Sequence, residues 1–314
     1  MTKVIYPLTG KRVWVAGHTG MVGSALLRRL IAEDCEVITV GRAEVDLTRQ
    51  SDVEDWMADA TPDAVILAAA TVGGILANAS RPVEFLNQNL LIQTNILANA
   101  HKTGVQKLLF MGSSCIYPKA APQPILENNL LAGPLEPTNQ WYAIAKIAGV
   151  LQCQAYRKEY GKDFISCMPA NLYGPGDNFN LEQSHVLPAL LAKAHQAKTS
   201  GDRELTIWGS GKPRREFLYV DDLADACVFL MKSYSEPETI NLGFGSDITI
   251  EELARIVSEV VGFEGNYLYD TSKPDGTKQK LLDSSRVNGM GWRAQTLLKD
   301  GIATTYAWYM ENAT

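Results

Sequence analysis

The first half of the chain alternates short apolar runs with segments whose apolar residues repeat at helical spacing. The run 13–17 breaks into glycines, and 21–32 follows with a helical period, which predicts a strand, a turn and a helix. The same pattern predicts three further strands, at 36–40, 64–70 and 107–114, and a second helix at 50–59. Strands that alternate with helices indicate right-handed βαβ units, so we expect an α/β fold with a Rossmann-type doubly wound parallel sheet.

The second half has a less regular pattern. A loop rich in Pro and Asn spans 117–140, and a helix is predicted from about Trp141 to Gly161. Further helices are predicted at 184–198, 222–233 and 249–262, and short strands at 164–175, 205–209, 216–220 and 240–244. In the last of these helices, Thr249 and Glu252 form a capping box and Gly262 supplies the stop. This half therefore predicts a smaller, mixed α/β C-terminal domain.

Composition and charge narrow the class of protein. The 314 residues are 46% hydrophobic and 20% charged, which is typical of a folded globular protein. The net charge is −6 and Lys and Arg form no run, which argues against a nucleic-acid surface. The five cysteines are widely spaced without a CxxC pair, so neither disulfides nor a metal site is expected and a cytoplasmic location fits. The sequence shows no signal peptide and no membrane span.

Three glycines lie between the first predicted strand and the first predicted helix. Gly17, Gly20 and Gly23 have the spacing GxxGxxG, and this context favours a dinucleotide site whose pyrophosphate rests on the helix N-terminus. A glycine turn that serves only backbone geometry is the alternative. The second strand ends in Gly41 and Arg42 with no acidic residue, which favours NADP over NAD because an arginine can bind the 2′-phosphate.

Tyr142 and Lys146 are four residues apart and share one face of a predicted helix. A neighbouring ammonium is expected to lower the pKa of the phenol, which then exchanges a proton with a substrate carbonyl. The spacing alone is weak, since Tyr269 and Lys273 repeat it just before a proline. The pair Tyr142 and Lys146 is the better candidate, because Ser113 lies at the end of a buried strand, where α/β sheets bind their ligands.

These motifs together resemble the extended short-chain dehydrogenase/reductase family. Closer similarity is to its GDP-L-fucose synthase branch, and it is carried by AGHTGMVGSA, KLLFMGSSCIYPK, LEPTNQWYAIAKIAG, NLYGPGDNF, SHVLPALL, WGSGKPRREFLYVDD and SKPDGTKQK. The resemblance implies NADPH-dependent conversion of GDP-4-keto-6-deoxy-D-mannose to GDP-L-fucose, by epimerisation at C3 and C5 followed by reduction at C4. It also implies a homodimer. A division into an NADP-binding domain (1–170, with return segments near 216–243) and a nucleotide-sugar domain (171–314) is expected.

The resemblance also implies roles for individual residues. Ser113, Tyr142 and Lys146 would reduce the ketone, whereas Cys115 and His185 would act as base and acid on opposite faces of the sugar. Cofactor contacts are implied at Gly17, His18, Thr19, Gly20, Met21, Val22, Gly23, Arg42, Ala69, Lys146, Pro169, Asn171, Leu172 and His185. Substrate contacts are implied at Ser114, Asn171, Lys193, Trp208, Arg215 and Asp275. Without the resemblance, Cys115 would read as a buried apolar residue and His185 as a polar residue at a helix start.

Two positions depart from the family pattern. Thr19 stands where many members have arginine. This difference removes one candidate contact with the cofactor phosphate, so Arg42 becomes the main candidate for that contact. Lys193 stands where arginine is frequent, so a phosphate contact there is not bidentate. Three alternatives stay open: a GDP-L-colitose synthase, another nucleotide-sugar epimerase or dehydratase, and a cofactor-sensing regulatory protein, which has no need of the catalytic residues.

Overall fold

The computed structural model describes residues 3–181, 183–273 and 275–312. The strands are β1 (Arg12–Ala16), β2 (Glu36–Ile38), β3 (Ala64–Leu67), β4 (Lys107–Met111), β5 (Asp163–Pro169), β6 (Asn171–Tyr173), β7 (Glu204–Trp208), β8 (Arg214–Tyr219), β9 (Ile240–Leu242), β10 (Asp247–Thr249), β11 (Asn266–Asp270) and β12 (Gln279–Lys280). The helices are α1 (Met21–Leu30), α2 (Gln50–Ala60), α3 (Ile75–Ser80), α4 (Pro82–Lys102), α5 (Gln140–Tyr160), α6 (Val186–Ser200), α7 (Val220–Ser233), α8 (Ile250–Val261), α9 (Ser285–Met290) and α10 (Leu298–Asn312).

The larger sheet is parallel throughout and has the strand order β2-β1-β3-β4-β5-β9. Its central strands are buried along their whole length, as their uniformly apolar sequences predict. Helices α1 and α7 pack together, and α2, α4 and α5 form a second packed group. The predicted Rossmann-type doubly wound sheet is confirmed. The order in which strands are added reverses between β1 and β3, and such sheets bind ligands at this point.

A second, smaller group of elements packs around its own apolar core. Strand β8 pairs antiparallel with β10 and parallel with β6 and β12, while β7 and β11 form a separate parallel pair. Helices α6, α8 and α10 cover these strands, with Leu190, Leu253 and Ile302 fully buried between them. Among the described residues, no helix is long and apolar enough to cross a bilayer.

Several local predictions are confirmed in detail. The Thr249 hydroxyl accepts from the amide of Glu252 at 3.1 Å, and the Glu252 carboxylate accepts from the amide of Thr249 at 2.7 Å. Gly262 ends the same helix with φ of +77°, a left-handed conformation that favours glycine. Tyr269 lies in β11 rather than in a helix, so its spacing from Lys273 does not form a second Tyr-Lys pair on one helix face.

Candidate active site

One cavity of about 750 Å³ opens at the carboxyl ends of β1, β3, β4 and β5 and extends to the smaller group of elements. Each residue that the sequence assigns to cofactor, substrate or chemistry lines this cavity. The cavity therefore brings together side chains from widely separated parts of the chain.

The glycine turn after β1 is compact and leaves room above it. Gly17 has φ of +88°, and a Cβ there would lie 2.6 Å from the backbone of Ala69. A Cβ on Gly23 would lie 2.1 Å from the carbonyl oxygen of Gly17, whereas one on Gly20 would meet nothing closer than 3.6 Å. Gly17 and Gly23 thus serve the tight turn and the helix start, and Gly20 keeps the N-terminus of α1 accessible. This cradle fits a dinucleotide pyrophosphate.

Arg42 lies just beyond β2 at the same end of the cavity and its side chain is exposed. Within the described part of the chain it forms no ion pair. Thr19, in the glycine turn, is also exposed and lines the cavity. An exposed guanidinium at this end of the cavity fits a ligand with one further phosphate group.

The segment after β4 presents two side chains to the cavity. Ser113 caps the short 3₁₀ helix Ser114–Ile116, and its hydroxyl accepts from the amide of Cys115 at 3.3 Å. This turn places the Ser113 hydroxyl and the Cys115 thiol beside each other at the end of a buried strand. Both are partly accessible from the cavity.

Tyr142 and Lys146 share the face of α5 that lines the cavity. The Lys146 ammonium donates to the carbonyl oxygen of Met111 at 2.9 Å and lies 5.8 Å from the centre of the Tyr142 ring. Burial lowers the pKa of Lys146 to about 8. The residue is thus fixed against the end of β4.

The predicted lowering of the tyrosine pKa is wrong for this structure. Burial raises the pKa of Tyr142 above its ordinary value, the charge of Cys115 adds to the rise, and a hydrogen bond with Ser113 opposes it. The pKa stays above its ordinary value although the Lys146 ammonium lies 5.8 Å from the ring centre. The phenol is therefore held in its protonated form.

His185 immediately precedes α6 and acts as its N-cap residue. The side chain is exposed to the cavity, yet desolvation lowers the pKa of its imidazole and the positive charge of Lys280 lowers it further. The segment before it is fixed by a backbone hydrogen bond from Gly74 to Gln183 at 2.8 Å. A Cβ on Gly74 would lie 2.5 Å from the carbonyl oxygen of Ser184, so the close approach requires glycine.

The far end of the cavity is cationic and carries an exposed indole. The Lys193 ammonium lies 4.4 Å from the centre of the Trp208 ring, and that of Lys273 lies 5.3 Å from it. Arg215 donates to the carbonyl oxygens of Arg214 and Asp275, at 2.8 and 3.4 Å. Both carboxylate oxygens of Asp275 accept from Ser210, at 2.7 and 2.8 Å, so this side chain fixes a turn at the cavity edge.

The structure adds cavity residues that the sequence does not single out. Lys273 and Lys280 lie in or beside the segment 272–280, and Gly74 lies in the loop before α3. The first two belong to one of the segments that carry the family resemblance. The position of Lys280 in the cavity depends on β12, a strand of two residues that is too short to be predicted from a pattern.

Comparison with known proteins agrees with this geometry. The GDP-L-fucose synthase of Sinorhizobium fredii is 59% identical over 308 residues, which cover 98% of each chain. The GDP-L-colitose synthase of Yersinia pseudotuberculosis is 36% identical over 301 residues, covering 95% of this chain and 98% of that protein. A GDP-L-fucose synthetase structure from Naegleria fowleri, bound to NADP, matches with a TM-score of 0.90 at 30% identity, covering 99% of this chain and 97% of that one.

A family model described as the NAD dependent epimerase/dehydratase family matches residues 13–243, from β1 to just beyond β9. This range contains the glycine turn, the Tyr142–Lys146 pair, Cys115 and His185. Most of the cavity wall thus comes from the matched range. The chain belongs to the NAD dependent epimerase/dehydratase family.

Proposed function

We propose that the protein is an NADPH-dependent enzyme that converts GDP-4-keto-6-deoxy-D-mannose to GDP-L-fucose. It epimerises C3 and C5 and then reduces the C4 ketone. The observation that carries this proposal is the meeting of Ser113, Tyr142, Cys115 and His185 in one cavity that also contains a dinucleotide cradle. The 59% identity to a GDP-L-fucose synthase over nearly the whole chain supports the same substrate.

NADPH, when bound, supplies the hydride for the C4 carbon. The glycine turn would hold its pyrophosphate, Arg42 its 2′-phosphate and Lys146 its nicotinamide ribose. The remaining proposed cofactor contacts line the same cavity, at His18, Thr19, Met21, Val22, Ala69, Pro169, Asn171, Leu172 and His185.

Tyr142 and Ser113 orient the substrate for reduction. Their hydroxyls hold the C4 oxygen, and Tyr142 donates its proton as negative charge develops there. The raised pKa of Tyr142 suits this role, because a donor must be protonated at neutral pH. After the transfer, the nearby ammonium of Lys146 favours the phenolate electrostatically.

Epimerisation requires a base and an acid on opposite faces of the sugar. The Cys115 thiolate removes the proton from the carbon beside the ketone, and the electron pair of the broken C–H bond forms an enolate at C4. His185, protonated from solvent, returns a proton to the opposite face. The protons balance, because the thiol and the neutral imidazole then exchange with water.

The cationic end of the cavity would bind the nucleotide part of the substrate. Arg215 and Lys193 are placed to contact diphosphate oxygens, and the Trp208 indole offers an aromatic surface. Ser114, Asn171 and Asp275 complete the proposed contacts. We assign this end to a nucleotide-sugar domain of residues 171–314 and the dinucleotide cradle to residues 1–170, with return segments near 216–243.

Helices α4 and α5 carry an apolar stripe that supports a homodimer. Val83 and Leu91 of α4 and Trp141, Ile144 and Leu151 of α5 are exposed, although these two helices pack closely on each other. A second copy of the same helices would bury this surface. All five cysteines are unpaired, which supports a cytoplasmic location.

The proposed reaction is tested by incubating the protein with NADPH and a panel of nucleotide-linked 4-keto sugars, followed by identification of the product. We expect GDP-L-fucose from GDP-4-keto-6-deoxy-D-mannose. Consumption of NADPH only with a 3-deoxy sugar would indicate a GDP-L-colitose synthase instead. Interconversion without net consumption of NADPH would indicate an epimerase that recycles its cofactor.

A further inference from the structure

Lys280 brings a positive charge to the thiol that the epimerisation uses. Its ammonium lies 3.7 Å from the Cys115 sulfur. Strand β12 pairs parallel with β8, and Lys280 is in register with Arg215. The side chain is half-buried and lines the same cavity.

The backbone around Lys280 is fixed on both sides. The amide of Leu281 donates to the Gln123 side chain at 2.8 Å, and the amide of Leu282 donates to the carboxylate of Glu216 at 2.9 Å. In the described ranges, Lys280 forms no ion pair with a carboxylate. Its charge is therefore directed to the cavity rather than neutralised by an acidic neighbour.

Charged and titratable groups face Cys115 from three elements. Lys280 approaches from β12, Arg215 from β8 and Tyr142 from α5. Glu136, in the loop before α5, interacts with Arg215, although its carboxylate is paired with Lys119 at 3.0 Å. Since Tyr142 is held protonated, the charges that Lys280 and Arg215 bring to the thiol are both positive.

Lys280 also acts on the second residue of the epimerisation. Its positive charge lowers the pKa of the His185 imidazole, in addition to burial, and so disfavours the imidazolium. A cation near an imidazolium makes the proton easier to release. The same ammonium thus acts on both residues that the proposed epimerisation uses.

We propose that Lys280 is a positioning residue for the epimerisation, whose ammonium stabilises the Cys115 thiolate. The proposal rests on the proposed function for its chemistry, but the contact itself can be tested without substrate. In the step, the thiolate takes the proton from the sugar carbon and becomes a thiol. The Lys280 ammonium keeps its own protons and forms no covalent bond.

The first test measures alkylation of Cys115 by iodoacetamide between about pH 5 and 10, in the full chain without substrate. A Cys115→Ser variant supplies the background, to which Cys35 contributes most because the other three cysteines are buried. In Lys280→Met we expect alkylation at pH 7 to be about 10-fold slower, because an opposite charge within about 4–6 Å shifts an ionisation by about one pH unit or more. Lys280→Arg should keep most of the rate.

The limiting alkylation rate at high pH distinguishes a structural effect of the substitution from an electrostatic one. There the thiol is ionised in every variant, so an electrostatic role predicts a limiting rate within about threefold of the unaltered protein. Lys278→Met is the matched control, since Lys278 is an exposed lysine two residues away that does not line the cavity. An unchanged profile in Lys280→Met would overturn the proposal, and so would an equal loss at all pH values.

The second test follows the His185 imidazole by NMR of histidine-labelled protein, with His185→Gln used for assignment. We expect its pKa to rise in Lys280→Met and to stay constant in Lys278→Met. A constant value in both variants would show that the charge of Lys280 does not act on His185. If both tests succeed but no keto sugar exchanges hydrogen with solvent, the proposed function fails while the role of Lys280 toward the two groups stands.

Discussion

The amide of Gly74 donates to the carbonyl oxygen of Gln183 at 2.8 Å, which joins the loop after β3 to the segment that leads into α6. Asn78 strengthens the junction, because its side-chain amide donates to the carbonyl oxygens of Gly73 and Gly74 at 2.7 and 3.0 Å. Two residues after Gln183 comes His185. The placement of the proposed acid therefore depends on a backbone contact with the opposite wall of the cavity.

Replacing Gly74 by alanine should disturb the acid far more than cofactor binding. The new Cβ would lie 2.5 Å from the carbonyl oxygen of Ser184, so the His185 segment must move. A displacement near 1 Å can reduce a rate about 100-fold, and we expect this loss in C3 and C5 exchange. NADPH affinity, measured by fluorescence titration, should fall much less, because His185 is one of many proposed cofactor contacts. Gly289→Ala is the control, since a Cβ there meets nothing within 4 Å; full exchange in Gly74→Ala would contradict the positional role.

Tyr142→Phe should abolish reduction while leaving epimerisation intact. Loss of a general acid typically reduces a rate about 100- to 10,000-fold, and we expect a decrease in this range in NADPH oxidation with the keto sugar. Deuterium uptake at C3 and C5 should continue, because Cys115 is unchanged. Tyr160→Phe, at the exposed end of the same helix, should behave as the unaltered enzyme. Near-normal NADPH oxidation by Tyr142→Phe would mean that another group is the acid.

Cys115→Ser should lose most deuterium exchange in heavy water. A serine hydroxyl does not ionise near neutral pH, so no anionic base remains. The unaltered enzyme should label the sugar at C3 and C5 without reducible cofactor, as followed by mass spectrometry and NMR. His185→Gln should suppress completed inversion, and Cys35→Ser should change neither step. Full exchange in Cys115→Ser would mean that the thiol only packs against its neighbours and is not the base. Labelling at C5 alone in the unaltered enzyme would favour the colitose-type reaction.

Arg42→Ala should weaken NADPH binding and leave NADH binding nearly unchanged. A hydrogen bond to a charged group contributes roughly 1.5–3 kcal/mol, which corresponds to a loss of about 10- to 150-fold in affinity. Arg49→Ala is the matched control, because Arg49 is exposed and does not line the cavity. Thr19→Arg should tighten NADPH binding by adding a second cation. Equal affinity of the unaltered protein for both cofactors would refute the role of Arg42.

Glu216 should make folding stability depend on pH. Burial raises its pKa from 4.5 to about 7, while its carboxylate accepts from the amides of Gly245 and Leu282 at 2.7 and 2.9 Å. Between pH 4.5 and about 7 the folded state keeps a proton on Glu216 that the unfolded state has released, so the free energy of unfolding falls as the pH rises. The difference between the two pKa values corresponds to about 3 kcal/mol of unfolding free energy. Urea denaturation at pH 5 and pH 8 should show a smaller difference in Glu216→Gln; an identical difference would refute this origin.

Elements with strong local signals were predictable from sequence, and α4 shows where such prediction fails. The parallel strands, the glycine turn and the capping box of α8 each depend on residues close together in the chain. Helix α4 was not predicted, because its buried positions include Asn89, Gln93, Asn95 and Asn99, which obscure the apolar period. Their amides are paired with groups such as the carbonyl oxygen of Ala145 only in the folded protein.

The site was predictable as a set of residues but not in its electrostatics. Helix spacing and a strand end indicated Tyr142 and Ser113, and the family resemblance added Cys115 and His185. The structure places all four on one cavity. Spacing alone predicted the wrong direction for the pKa of Tyr142, because the degree of burial depends on tertiary packing. The contact of Lys280 with Cys115 joins residues 165 positions apart, and no local pattern predicts it.

The pairing of β5 with β9 has a consequence for synthesis on the ribosome. β5 ends at Pro169 and β9 begins at Ile240, so about 70 residues must be translated before the last strand of the larger sheet exists. At roughly 5–20 residues per second, the edge of β5 stays uncovered for about 4–14 seconds. An open strand edge invites pairing with other chains. The nascent protein should therefore depend most on chaperones during this interval, and a fragment released at residue 170 should aggregate.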